Sequence, residues 1–450
     1  MPLSEAVQTL QQFRAAMYRT LGQRKDTLFE LAEAALVSPS RATTVRLSLT
    51  PLFQRGWASA PAALRLGSLD RDAGRRLVAV SLPVPPPPVR PVWALDGTTW
   101  PRPAAATSPE RTWGHRVSPG RPQSGVVPAW EYQWLVAVPE PSGSWVLPLD
   151  VARRAPAAGT PTALAIAQLR AALAARPADA PRPVVTFDSQ YDPVALAQAG
   201  LGAAADLLVR LTPRRRFYRA PAPYPGRGTR VRKHGPVFRL PDSVSHGPPD
   251  QSAEAADAAH GWVRVDVWTT LHAQWATDAP LTIIRVQVAR LPKSGKTPKP
   301  LWLAWVGGPL PADLLDLWRY YDRRFTVEHG FRFLKQELGW TTVRPQAPAS
   351  ADRWSWLLAL AFWELWWLRP VVADHRLPWE RPLPPGRLTP GRVRRAALGI
   401  LAALDSPAQP PRPRGIAPGR ARGQRPGPRR RYPVVRRHPK THRHRRKRAA

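Results

Sequence analysis

Apolar positions at helical spacing open the chain. Leu10, Phe13, Met17 and Leu21 recur every three to four residues and predict an amphipathic helix over about 4–19. Thr27 and Glu30 have the spacing of a capping box ahead of the apolar run 31–36, which predicts a second helix. Ser-Pro-Ser at 38–40 breaks it, and a further run passes through Arg41, Arg46 and Leu49. Residues 1–82 therefore read as a helical N-terminal domain. Two short helices around a tight break fit a helix-turn-helix, or simply two packed helices.

After the proline-rich stretch 83–91 the pattern changes to that of strands. Residues 92–95 form a short apolar run ending at Asp96; runs at 132–138 and 145–151 flank a turn-rich segment and read as a hairpin. A helix is expected over 162–176 and a buried strand over 184–187, ending at Asp188. A helix over 193–198 and a strand over 207–211 follow. Hairpin strands followed by strand–helix–strand units describe an α/β mixed sheet, here assigned to 83–211.

Residues 212–309 interrupt this order. The stretch 212–249 holds nine Arg or Lys and one Asp, with many Pro and Gly, and reads as a basic loop. Alternating runs at 262–269, 282–290 and 301–306 add a β-strand insertion. Helical periodicity resumes over 313–338, so 310–370 reads as the second part of the sheet-bearing unit. A tryptophan-rich helix is expected over 353–368. Thr389-Pro390 then caps a helix within a C-terminal segment, 371–405. The last 40 residues carry 16 Lys and Arg and no Asp or Glu, and 406–450 is expected to be a disordered basic tail.

Charge narrows the partner. Lys and Arg number 67 against 31 Asp and Glu, a net charge of +36. Self-repulsion of that size favours a polyanionic partner, and nucleic acid is the first candidate because phosphate neutralisation releases counterions. A membrane surface is the second, but no basic amphipathic helix beside an anchor is visible. The run 354–368 is shorter than a membrane span and contains Glu364, so it reads as a buried helix. Without cysteine there are no disulfides or thiolate metal sites. No signal peptide is visible, and the expectation is a cytoplasmic, bacterial, nucleoid-associated protein.

Cutting a phosphodiester requires an activated nucleophile, a stabilised leaving oxygen and relief of phosphate repulsion. Two divalent ions held by hard carboxylates supply all three. Asp96 and Asp188, each followed by turn residues, are expected at strand ends above the sheet, although either alone reads equally as an ordinary turn aspartate. The segment YYDRRFTVEHGFRFLKQELGW over 320–340 is more specific. In a continuous helix, Tyr321, Arg324, Glu328 and Lys335 fall within roughly 60° of one another, so one face carries a phenol, two cations and a carboxylate. Such a face suits a metal flanked by phosphate-gripping cations, or a solvated salt-bridged surface. His329 beside it reads as structural.

Tyr-x2-Arg-x3-Glu-x6-Lys resembles the YREK signature of bacterial insertion-sequence DDE transposases, which Tyr321, Arg324, Glu328 and Lys335 match without a gap. WALDGTTWPRP around Asp96 and VVTFDSQYDP around Asp188 resemble the first two acidic motifs of the group. The segments KHG at 233–235 and LTPGRVRR at 388–395 extend the likeness. It is best in the IS-four and IS-seven-hundred-one families. The resemblance implies an RNase H-like core with a β-strand insertion between the second and third acids, which here have 139 residues between them. It also implies Asp96, Asp188 and Glu328 as ligands of two Mg²⁺ or Mn²⁺ ions. Arg324 and Lys335 would place DNA phosphates and Tyr321 would orient the strand. The implied partners are double-stranded DNA (terminal inverted repeats and target) and a second copy of the chain in a homodimeric synaptic complex. The insertion's Trp262, Trp268 and Trp275 could stack on an unpaired base or pack a core. Cut-and-paste DNA transposition is the leading expectation. A nuclease or resolvase on the same fold and a non-enzymatic nucleic-acid-binding protein are the alternatives.

Overall fold

The structure, a computed structural model, describes residues 2–39, 43–103, 108–116, 125–223, 232–292, 295–384 and 386–412, with 419, 422–425 and 427. Five helices come first: α1 (Leu3–Thr20), α2 (Lys25–Val37), α3 (Thr44–Leu47), α4 (Ser59–Leu66) and α5 (Arg71–Val80). Leu10, Phe13 and Met17 are buried on α1, as the spacing predicts. The expected capping box does not form. α2 starts two residues before Thr27, which lies inside it without a capping bond, because Glu30 is drawn under the surface by Arg55 at 3.2 Å. Of the third helical run only one turn, α3, is formed among the described residues. That is too short for a recognition helix, and Arg41 lies outside them.

Strands β1 (Val92–Pro101), β2 (Thr112–Arg116), β3 (Gly125–Ala137) and β4 (Leu147–Arg154) lead into α6 (Pro161–Ala174), β5 (Val184–Phe187), α7 (Pro193–Gln198) and β6 (Asp206–Arg210). β3 lies antiparallel between β1 and β4, while β5 and β6 run parallel to β1 on its other side. The order β4-β3-β1-β5-β6, with α6 and α7 carried in the parallel crossovers, is the arrangement expected of an RNase H-like core.

The remaining strands are β7 (Arg216–Tyr218), β8 (Val237–Arg239), β9 (Gln251–Asp257), β10 (Gly261–Ala273), β11 (Ala276–Val288) and β12 (Leu301–Val306). β12 pairs antiparallel with β6, so the inserted strands continue the core sheet. Three of these strands escape the sequence pattern, as does β2 of the core. β9 is almost wholly polar-faced and exposed, and β7 and β8 lie in the stretch read as a basic loop.

The helical run expected over 313–338 is divided. α8 (Leu315–Asp322) is followed by a 3-10 turn, Arg323–Phe325, and by α9 (Thr326–Gln336). α10 (Pro348–Leu368) is apolar all round and buried through most of its length. Two of its tryptophan N–H groups find acceptors, Trp363 donating to the Pro148 carbonyl at 2.6 Å and Trp354 to that of Trp340 at 3.0 Å, while those of Trp356 and Trp367 are buried without one among the described residues. α1, α2, α4 and β4 pack around it, so the N-terminal helices share one core with the sheet instead of enclosing their own. α11 (Pro390–Ala403) is capped as expected, the Thr389 hydroxyl accepting from the Arg392 N–H. Most of the expected basic tail lies outside the described residues.

Candidate active site

Register explains why two acids separated by ninety-odd residues meet. Leu95 of β1 is paired with Phe187 of parallel β5, and each is followed by an aspartate. Neighbouring strands are about 4.8 Å apart, so Asp96 and Asp188 stand side by side. Asp96 differs from expectation in one respect. It lies in mid-strand opposite Trp134, because the long β3 keeps β1 paired as far as Pro101.

Arg324 joins the two acids. Its Nη2 donates to Asp96 Oδ2 at 2.8 Å and lies 4.0 Å from Asp188 Oδ2. The Gly97 N–H donates to Asp96 Oδ1 at 2.8 Å, and the Gln190 N–H to Asp188 Oδ1 at 2.9 Å. Burial pushes the Asp96 carboxyl up to about 6; Arg324 opposes the shift and Asp188 adds to it. Burial also opposes the Arg324 charge, but Asp96, Tyr321 and Asp188 outweigh it and hold its pKa above the ordinary value.

Lys335, three turns along α9, reaches the same edge of β1 and donates to the Thr98 hydroxyl. Burial brings its pKa down to about 8, with Asp96 pulling the other way. It lines a groove of about 540 Å³ together with Gly97, Thr98, Glu131, Gln190 and Tyr191. Sequence reasoning missed Tyr191. It is buried beside both acids, and burial, Asp96 and Asp188 push its hydroxyl well above 10, so it keeps its proton. Its position three residues past Asp188 was the available signal.

The other two predicted residues are placed differently. Glu328, in the first turn of α9, is exposed and makes no ion pair among the described residues, though its charge adds to the field at Asp96. No group of three His, Cys, Asp or Glu close enough to hold a metal ion occurs among the described residues. Tyr321 is fully buried in the apolar layer against Val184, Leu208 and Leu317, and has no surface to offer a strand. The 3-10 turn is the cause: it breaks the continuous helical face on which the four residues were expected to align. Trp268 is core, as one of its two readings had it, whereas Trp262 and Trp275 are exposed.

By donor type Asp96 and Asp188 fit a divalent cation. They are hard carboxylates with one guanidinium between them, and burial penalises the charge of one of them, a cost that a bound cation would offset.

A family model described as DDE superfamily endonuclease matches residues 16–276, more than half of the chain and inclusive of both aspartates. The chain belongs to the DDE endonuclease superfamily. No curated protein matches it. Among solved structures, it is similar to a piggyBac transposase in a synaptic complex with hairpin DNA, at 10% identity and a TM-score of 0.39. The match covers 76% of this chain and 65% of that one, less than two thirds of its length. No helix among the described residues is long and apolar enough to cross a membrane.

Proposed function

We propose that the chain is a transposase of the YREK group of DDE enzymes. On this reading it binds element ends and catalyses metal-dependent strand cleavage and strand transfer on double-stranded DNA. The observation that carries the reading is the pairing of Asp96 with Asp188 on neighbouring parallel strands, under a cation supplied by the segment that also bears Glu328 and Lys335. The family match and the +36 charge support it.

Asp96 and Asp188 would hold the divalent ion, Mg²⁺ or Mn²⁺, and Glu328 would complete a two-ion set from α9. When bound, such ions activate the attacking water or hydroxyl and stabilise the leaving oxygen. Arg324 keeps the aspartates oriented and their repulsion low before the ion arrives. Lys335 offers its protonated amine to a non-bridging phosphate oxygen in the groove. Tyr321 acts from behind, its ring packed on the turn that carries Arg324. A homodimer would bring two ends together.

Asp96→Asn and Asp188→Asn are each expected to abolish Mg²⁺-dependent cleavage of a duplex taken from the flanks of the coding region, with DNA binding retained. Glu328→Gln should do the same. Normal cutting by either aspartate variant would overturn the assignment. Strand joining of a pre-cut end to a target plasmid separates a transposase from an endonuclease that only cuts.

A further inference from the structure

Beyond the acid pair β1 runs on to Pro101, and Arg102 follows it, six residues and about 20 Å from Asp96. Arg102 is buried with its guanidinium 4.5 Å from the centre of the Trp130 ring, and it donates to the Pro345 carbonyl at 2.8 Å. Burial, then the like charges of Arg111 and Arg344, push its pKa down. Here cations crowd together with no carboxylate between them. Among the described residues neither Arg65, Arg102 nor Arg344 has an acidic partner within ion-pair distance.

Arg344 and Pro345 belong to the segment 341–347, which joins the end of α9 to α10. Between this segment and α4 lies a cavity of about 540 Å³ lined by Arg65, Thr342, Arg344, Gln346 and Ser350, with no Asp or Glu in its wall. Ser350, third residue of α10, is 5% exposed, and its hydroxyl makes no hydrogen bond among the described residues. It faces the cavity beside a helix start whose N-cap residue, Ala347, offers no capping side chain. A long helix presents a partial positive charge at that end, although Pro348 has no N–H and those of Ser350 and Ala351 donate to the Ala347 carbonyl. The hydroxyl of Ser350, two exposed guanidinium groups without ion pairs and a helix N-terminus line one space without acids. That chemistry selects an anion with several acceptor oxygens.

The cavity's position says which anion. The groove holding Lys335 is lined by Pro101 and Thr341, and the cavity begins at Thr342. The two therefore follow one another from Asp96 outward. A separation of about 20 Å corresponds to roughly six nucleotides of one strand of a duplex. We infer that Arg65, Arg344 and Ser350 bind a backbone phosphate of the DNA duplex whose cleaved phosphodiester lies at Asp96 and Asp188. This rests on the function proposed above. It gives the N-terminal helices a part in holding DNA through α4, a role independent of a helix-turn-helix.

The test uses the full chain and a labelled duplex of random sequence, because phosphate contacts carry no sequence information. In Arg65→Gln/Arg344→Gln the slope of log Kd against log salt should fall by about 2, and Kd at low salt should rise roughly tenfold. Ser350→Asp, which keeps a residue suited to the first turn of a helix, should weaken binding through repulsion. Arg76→Gln, a charge loss on the exposed face of α5, is the control. An unchanged slope in the double variant, or an equal fall in the control, overturns the inference. So does calorimetry showing that the site takes inorganic phosphate while the double variant binds DNA like the parent, which identifies a small-anion site. These outcomes are separable from failure of the functional reading, which is decided by cleavage in Asp96→Asn.

Discussion

Among the described residues several arginines face a pair of carboxylates, and two of these clusters, one in the helical layer and one at the sheet, differ in their surroundings. In the helical layer Arg14 of α1 bonds Glu33 of α2 at 2.8 Å through Nε and lies 3.2 Å from Glu364 of α10. At the sheet Arg324 holds Asp96 at 2.8 Å with Asp188 at 4.0 Å. The charges are the same, but the surroundings differ. Arg14, Glu33 and Glu364 are all within 2% of complete burial, whereas the side chains of Asp96 and Asp188 are 13% and 18% exposed. The sealed cluster becomes neutral by keeping a proton: burial, then the neighbouring Glu33, drives the Glu364 carboxyl well above its usual range. Around neutral pH the open cluster is short of one positive charge, and solution can supply it. Exposure, not composition, makes one arrangement a sealed structural tie and leaves the other open to a cation from solution.

The largest expected effect breaks the open pair. Asp188→Asn leaves a single carboxylate, and cleavage in a single-turnover assay should fall roughly 1,000-fold or more. The matching break in the sealed pair acts on stability. Arg14→Leu strands two acids in the core and should cost about 3–5 kcal/mol, read from urea denaturation. Arg324→Leu should cost less than half of that, and added Mg²⁺ should raise its melting temperature but not that of Arg14→Leu. Equal losses in the two variants would erase the distinction.

A pH profile sharpens the comparison further. Asp96, at about 6, must lose its proton and Lys335, at about 8, must keep one. At low Mg²⁺ the single-turnover rate should therefore rise with pH through about 6 and fall through about 8. Lys335→Arg should carry the alkaline limb upward, and raising Mg²⁺ should move the acid limb down. An alkaline limb that stays put in Lys335→Arg removes that residue from the mechanism.

The smallest effect is expected from Glu364→Gln. Burial favours the protonated form of this carboxyl, which the amide mimics, so the substitution should change stability by less than about 1 kcal/mol. The raised folded-state pKa gives a sign. The group contributes stability at low pH and loses it as pH rises from the ordinary glutamate range through the folded-state value, so over that rise the parent should weaken more than Glu364→Gln does. Parallel stability–pH curves for the two would refute this.

Much of the architecture was legible along the chain because periodicity reports burial. β5 and α7 fall where the pattern predicts, and Thr389 caps α11. The strand starting at Val92 and the helix over 353–368 are present, and Asp96 and Asp188 were both named. β9 was not legible, since an exposed strand without apolar alternation leaves no such trace. Nor was the 3-10 turn at Arg323–Phe325, whose residues suit a helix equally well.

By itself the sequence determined most of the elements, the strong positive charge and the acids eligible for chemistry, since each follows from local residue type and spacing. Only the tertiary structure decided which charges meet. Glu364 read as a sign that α10 does not cross a membrane, and Glu30 as half of a capping box. Tyr321 and Arg324 read as neighbours on one exposed face. Folding instead placed Glu364 against Arg14, Glu30 against Arg55, Tyr321 in the core and Arg324 between two aspartates. These are contacts between residues far apart in the chain. Strand register and helix packing set them, and a local pattern carries no record of either.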